Sequence, residues 1–211
     1  MSTAPLELIS HPLCPYVHRA AALLTEKQVP FTLRHIDLKA KPDWFLKISP
    51  RGTVPVLVTD GAAIFESNVI VEYLDEISSP HMLPASPLPR AQQRMWIEAS
   101  GDLVAGHYKI ATAATVEART AAIAAARSTL EKFEAVIVGP YFNGEELGLV
   151  DFAAGPGLVR FEILGEELGQ DFYAGFPKVA EWSRRISARP AFRSVMVPDF
   201  RERFRALIKT V

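Results

Sequence analysis

Cys14 is the one cysteine in a chain of 211 residues, and it stands in Cys14-Pro15-Tyr16-Val17 at a change of pattern. Leu6-Glu7-Leu8-Ile9 reads as a short strand, which His11-Pro12-Leu13-Cys14-Pro15 then breaks. From Pro15 to about Lys27 the residues Val17, Ala20, Ala21 and Leu24 share one helical face. Pro15 suits the first turn, where a missing N–H is no loss. A cysteine at the head of a helix meets unpaired N–H groups and the positive end of the helix dipole, both of which favour an anion. Thiols so placed can have pKa values down to about 3.5–7.5. The thiolate is the nucleophile that attacks disulfides and electrophiles. A lone cysteine is otherwise read as a small buried hydrophobe; the strand–Cys-Pro–helix setting favours the reactive thiol.

A dithiol motif would carry its resolving cysteine at position 17, which is Val17. A mixed disulfide on Cys14 therefore needs an outside thiol to resolve it, and glutathione is the obvious one in a reducing cytoplasm. A single cysteine also excludes an intrachain disulfide, in keeping with such a compartment.

Three further places could serve that chemistry. Pro55 opens a strand, a position where proline is tolerated. If Val54-Pro55 were cis, the Val54 N–H and C=O would turn outward to pair with an extended peptide; an ordinary trans proline reads equally well. Glu66-Ser67 precedes a helix, so the Ser67 hydroxyl and N–H could hold a carboxylate while Glu66 accepts from an ammonium group. A plain cap with a solvated glutamate is the alternative. Lys41 could pair with a second carboxylate, or simply be solvated.

These residues need elements to position them. Phe31–Leu38 is a second strand candidate, and strand, helix and strand within about 35 residues suggest a right-handed parallel unit. Lys41–Ser49 is helical, and Val54–Thr59 is a third strand. Asp60-Gly61 signals a hairpin back into Ala62–Phe65. Ser67 can cap a helix whose apolar stripe is Ile70, Tyr73, Leu74 and Ile77. The order βαβαββα is the thioredoxin-like plan, over residues 1–78. Residues 79–89 carry Pro80, Pro84, Pro87 and Pro89 and read as a linker. Residues 90–211 contain no convincing strand. Helices are expected at about Arg90–Thr112, Glu117–Ile137, Asp151–Leu164, Pro177–Ala188 and Pro198–Ile208. The fold class is thus α/β plus all-α.

Hydrophobic residues make up 49% and charged residues 22%, enough for a core and too apolar for disorder. The net charge is −1 without a basic block, so nucleic-acid binding is not expected. Met1 to Glu7 lacks a basic start and apolar run, and no apolar stretch reaches the roughly 18–20 residues of a bilayer span. A cytoplasmic protein with no membrane partner is the default. The five histidines show no metal-ligand spacing, and no phosphate-binding loop or Gly-x-Ser-x-Gly elbow is present. No metal is expected.

Taken together, the segments resemble glutathione transferases, most closely the omega class, whose active residue is cysteine. The resemblance covers nearly all of residues 6–78. It is carried by Cys14-Pro15-Tyr16 with Arg19, by Asp37 to Phe45, by Ser49-Pro50-Arg51-Gly52-Thr53-Val54-Pro55-Val56-Leu57, and by Glu66-Ser67 leading to Glu72-Tyr73-Leu74-Asp75-Glu76. It implies that Cys14 forms the mixed disulfide and Val54 pairs with the cysteinyl backbone beside a cis Pro55. Glu66 and Ser67 would hold the γ-glutamyl end and Lys41 the glycine end, with Leu38 along the same wall. The helical half matches more loosely: before Asp151, where the family has Ser or Thr, this chain has Gly148, which weakens the capping box. Trp96, His107, Tyr108 and Arg160 are candidates for a second-substrate wall, or core and surface residues.

The resulting expectation is a glutathione-dependent thiol transferase, reducing mixed disulfides, glutathione conjugates or dehydroascorbate. Conjugation of glutathione to electrophiles is the second reading, and a non-catalytic protein-binding module of the same fold the third. The resemblance also implies a homodimer.

Overall fold

The computed structural model describes residues 5–211, so most of the segment inspected for a leader, Met1 to Ala4, lies outside the described residues. The sheet has the order β2-β1-β3-β4. Strand β1 (Glu7–Ser10) pairs parallel with β2 (Thr32–His35) and antiparallel with β3 (Val56–Thr59), which pairs antiparallel with β4 (Ala62–Phe65). Helices α1 (Pro15–Glu26), α2 (Asp43–Ile48) and α3 (Ser67–Glu76) complete the thioredoxin-like βαβαββα order. Leu8 and Ile9 point to opposite faces of the central strand and both are fully buried, so the sheet is covered on both sides.

The hairpin obeys its turn chemistry. Asp60 and Gly61 both have positive φ, 53° and 74°, as a two-residue turn of matching twist requires. Strand β2 is shorter than Phe31–Leu38. It is an edge strand, and its ladder stops where β1 stops, at Ser10 opposite His35. The sequence marks one apolar face of α1, formed by Val17, Ala20, Ala21 and Leu24. Instead every residue from Val17 to Leu24 is buried, because the helix is wedged between α3 on one side and α6 and α8 on the other.

The remaining helices are α4 (Pro87–Ala111), α5 (Val116–Val136), α6 (Leu149–Leu168), α7 (Pro177–Ala188), α8 (Pro190–Ser194) and α9 (Phe200–Arg205). Among the described residues they add no strand to the sheet. Helix α4 starts three residues before the expected Arg90, since Pro87 and Pro89 both fall in its first turn, where no donor is needed. The short helix α8 was not anticipated, and the last helix is shorter than Pro198–Ile208. No helix among the described residues is long and apolar enough to cross a membrane.

Helix α6 is the axis of the helical half, buried continuously from Leu149 to Phe161. It packs against both α4 and α1. Gly157 permits the close approach to α4, since a Cβ there would lie 3.2 Å from Val104 Cα. The α6 N-terminus is secured by Asp151 despite Gly148. The carboxylate accepts from Gly148 N at 2.7 Å, Phe142 N at 3.0 Å and the Trp182 indole Nε1 at 2.6 Å. Half of the reciprocal box therefore survives: two donors from other segments hold the carboxylate, and the Asp151 N–H that a cap hydroxyl would accept bonds to Gly148 O at 3.0 Å. Burial lifts the Asp151 carboxyl to about 6, against the pull of these donors.

Removing this acceptor strands three buried N–H groups, each costing about 1–3 kcal/mol. Asp151→Ala should lose about 3–5 kcal/mol in urea unfolding. A loss under about 1 kcal/mol would contradict the account.

Candidate active site around Cys14

The turn Cys14 N–H to His11 O, 3.0 Å, delivers the chain into α1 with Cys14 as N-cap and Pro15 as first helical residue. The Cys14 side chain does not cap the helix; its Sγ donates to Val54 O at 3.7 Å. The Val54-Pro55 bond is cis. Val54, Pro55, Glu66 and Ser67 line one cleft of about 630 Å³, together with Tyr16 and Arg19. The structure thus brings Cys14, Val54, Pro55, Glu66 and Ser67 together.

Lys41 and Leu38 stand apart from that lining. Lys41 extends over the Gly52 turn, its Nζ 3.3 Å from where a Cβ of residue 52 would sit. Gly52 has φ 60°, so a side chain there would be strained as well as crowded. Lys41 thereby reaches the chain beside Arg51 and Thr53, two lining residues. Leu38 is half-buried against the core.

Glu66, not Ser67, is the N-cap of α3, and it makes no side-chain cap bond. Its backbone, φ 69° and ψ 113°, is a conformation that costs a non-glycine residue on the order of 1–3 kcal/mol. The Glu66 carboxylate is held by Arg51 Nη1 at 2.7 Å in an exposed pair. Ser67 corrects the expected cap: it is the first helical residue, and its Oγ accepts from Arg19 Nη1 at 3.2 Å. That leaves the hydroxyl proton free to donate.

Arg19 joins the sheet half to the helical half. Besides Ser67 it donates to Ala153 O at 2.7 Å, Asn68 Oδ1 at 2.6 Å and Ser100 Oγ at 3.0 Å. It therefore binds α1 to α3, α4 and α6. Burial depresses its pKa to about 10.

The thiol itself departs from expectation. The Val17 and Tyr16 amides and the Arg160 and Arg19 charges do pull the Cys14 pKa down, as the helix-head argument requires. Burial of the sulfur outweighs them, and the pKa lies above the ordinary thiol value. Position at the helix head was visible in the sequence; the packing around it was not.

Of the second-wall candidates, Trp96 packs against Phe133 and Phe142, and His107 is buried between Phe161 and Phe204. Tyr108 is exposed. Arg160 is buried, with Nη2 donating to Leu13 O at 3.0 Å. No cluster of three metal-ligating side chains occurs among the described residues.

Comparison with known proteins bears on the fold and the family. Residues 13–77 match the model of the glutathione S-transferase N-terminal domain, and residues 116–185 that of the C-terminal domain. A probable glutathione transferase omega-2 of Caenorhabditis briggsae is 30% identical over 197 residues, covering 88% of this chain and 78% of its own length. Glutathione transferase Omega 3C of Trametes versicolor superposes with a TM-score of 0.83 at 26% identity, over 94% of this chain and 89% of the other. Rice GST1, solved in complex with glutathione, gives 0.86 at 25% identity, over 99% and 96%. With both halves of the fold, the cysteine-headed first helix and relatives of this identity and coverage, the chain belongs to the glutathione transferase family, with omega-class members among its relatives.

Proposed function

We propose that the protein is a glutathione-dependent thiol transferase acting through Cys14. The observation that carries this reading is the sulfur's place at the head of α1, against the Val54 carbonyl that borders the cleft. Glutathione is the co-substrate whose groups these residues match. The free Ser67 hydroxyl proton would donate to the γ-glutamyl carboxylate, and Glu66 would exchange Arg51 for the ammonium group. Val54 would pair with the cysteinyl backbone beside Pro55, Lys41 with the glycyl carboxylate, and Leu38 would lie along the wall.

In the reaction the Cys14 thiolate attacks the glutathione sulfur of a mixed disulfide. That S–S bond breaks, the substrate thiolate leaves and takes a proton, and Cys14 becomes disulfide-bonded to glutathione. A second glutathione thiolate attacks the adduct, releasing Cys14 and oxidised glutathione. Val17 leaves no internal thiol to do this.

One observation favours the second reading, conjugation of glutathione to electrophiles. A Cys14 thiol kept protonated could donate to the glutathione sulfur instead of attacking it, as its S–H now donates to Val54 O. The two readings separate on one variant. Cys14→Ser should abolish mixed-disulfide reduction and the reversible mass adduct formed with oxidised glutathione, since a hydroxyl is a far weaker nucleophile and leaving group. Retained mixed-disulfide reduction in Cys14→Ser would overturn the thiol-transferase reading, and aryl-halide conjugation by a wild type that forms no adduct and reduces no mixed disulfide would establish the second.

A homodimer and a cytoplasmic location go with this proposal. Phe65 and Val69 leave apolar surface exposed on β4 and α3 beside the cleft, as Met95 does on α4. Light scattering should report twice the 23.3 kDa chain mass, and the monomer mass would refute the dimer.

The pH dependence has a definite sign. A thiol pKa above the ordinary value means a small thiolate fraction at neutral pH that grows as pH rises. Iodoacetamide labelling of ligand-free Cys14 should keep accelerating beyond pH ~8.5, the value of a free cysteine. A plateau already reached at pH ~7 would show that the amides and arginines prevail over burial.

A further inference from the structure

Arg160 is a buried cation for which the described residues provide no carboxylate. Its guanidinium donates to Pro156 O at 2.8 Å, Leu13 O at 3.0 Å and His18 Nδ1 at 3.2 Å, all neutral acceptors. Its Nε is buried and has no hydrogen-bond partner among the described residues. The Phe200 ring lies 4.9 Å from the guanidinium carbon, closing the site from the α9 side. A cation removed from water costs several kcal/mol unless something compensates. The same fold treats buried Lys27 differently, pairing it with the Asp75 carboxylate at 2.5 Å. Proteins keep a buried unpaired charge where it has work to do.

The work is set by the neighbour. Leu13, whose carbonyl Arg160 holds, is the residue before Cys14, so α6 grips the turn that carries the sulfur. His18 accepts from Arg160 through Nδ1 and is held neutral by burial and by that same charge, so it adds no second positive charge beside the sulfur. The other groups near the sulfur are Tyr16 and Arg19 on α1 and, across the cleft, the Val54 carbonyl. Arg19 has its guanidinium divided among four protein acceptors.

We propose that Arg160 is the counter-charge of the Cys14 thiolate: a positioning residue on α6 that holds the Leu13–Cys14 turn and completes its ion pair when the thiol proton departs to solvent. The inference deepens the thiol-transferase reading and rests on it for its biological meaning, though not for its measurement. The step makes no covalent bond. It converts an unpaired buried cation into a paired one, which is why the orphaned charge is tolerated while Cys14 is still a thiol.

Met keeps the length and apolar stem of Arg160 but gives up its bonds to Pro156 O, Leu13 O and His18, so each variant is first checked for cooperative thermal unfolding. The test is the pH profile of iodoacetamide alkylation of Cys14, read by intact mass on ligand-free protein. Arg160→Met should move the inflection up by about one pH unit, which slows labelling at neutral pH about tenfold. Arg160→Lys, which keeps the charge but not the fork, should lie between Met and wild type. Coincident profiles for wild type and Arg160→Met would overturn the proposal. Should Arg160→Met lose cooperative thermal unfolding, Arg160→Gln replaces it, and identical Gln and Lys profiles overturn the proposal in the same way. No glutathione is used in this readout. A shift in these profiles beside a wild type without thiol-transferase activity would sink the functional reading and leave the electrostatic one standing.

Discussion

Two buried arginines near the head of the first helix, neither paired with a carboxylate among the described residues, are the constraint on which the rest of this structure depends. Arg19 and Arg160 come from α1 and α6, and each reaches across the boundary between the sheet half and the helical half. A buried cation must find acceptors or leave the interior. Here the acceptors belong to the opposite half: Ala153 O and Ser100 Oγ for Arg19, Leu13 O and His18 for Arg160. The two halves are therefore joined through the residues that surround the sulfur. Packing and chemistry share the same atoms.

This sharing explains why the thiol is harder to ionise than its helix position implies. The N–H groups and the dipole of a helix act on any anion at its head, but they act against the loss of water around the sulfur. Arg160 brings α6 against the turn that carries Cys14, whose side chain is left half-buried. The same packing raises the thiol pKa by burial and lowers it by charge. Such a balance responds to anything that changes the hydration of the cleft, a bound tripeptide included.

The legible parts of the sequence were those governed by local rules. Asp60-Gly61 required positive φ at both positions, and Ala62–Phe65 followed in register. Pro177 and Ala188 bound α7 as expected, because proline at the first helical position is a local signal. What stayed hidden depended on tertiary neighbours. The Ser67 hydroxyl reads as a cap until Arg19 approaches from α1. Gly148 reads as a weakened cap until Phe142 and Trp182 bring donors to Asp151. Arg160 reads as a wall residue because its partners lie 142 and 147 positions away in sequence. Leu38 was placed only through the family resemblance, and neither it nor Lys41 is among the residues lining the cleft.

Glu66 shows how the site's remaining strain is used. Its unusual backbone lets β4 end and α3 begin without an intervening loop, which sets Ser67 at the first turn of α3. A longer connection would relieve the strain and lose the position. The carboxylate, meanwhile, is already satisfied by Arg51 in an exposed pair worth little in water. A ligand ammonium group can therefore replace Arg51 at small cost, whereas displacing Arg19 from Ser67 would break a buried network. The cleft thus offers one exchangeable partner and one fixed one, side by side, and in the proposed binding of glutathione these are the groups that would meet the γ-glutamyl ammonium and carboxylate.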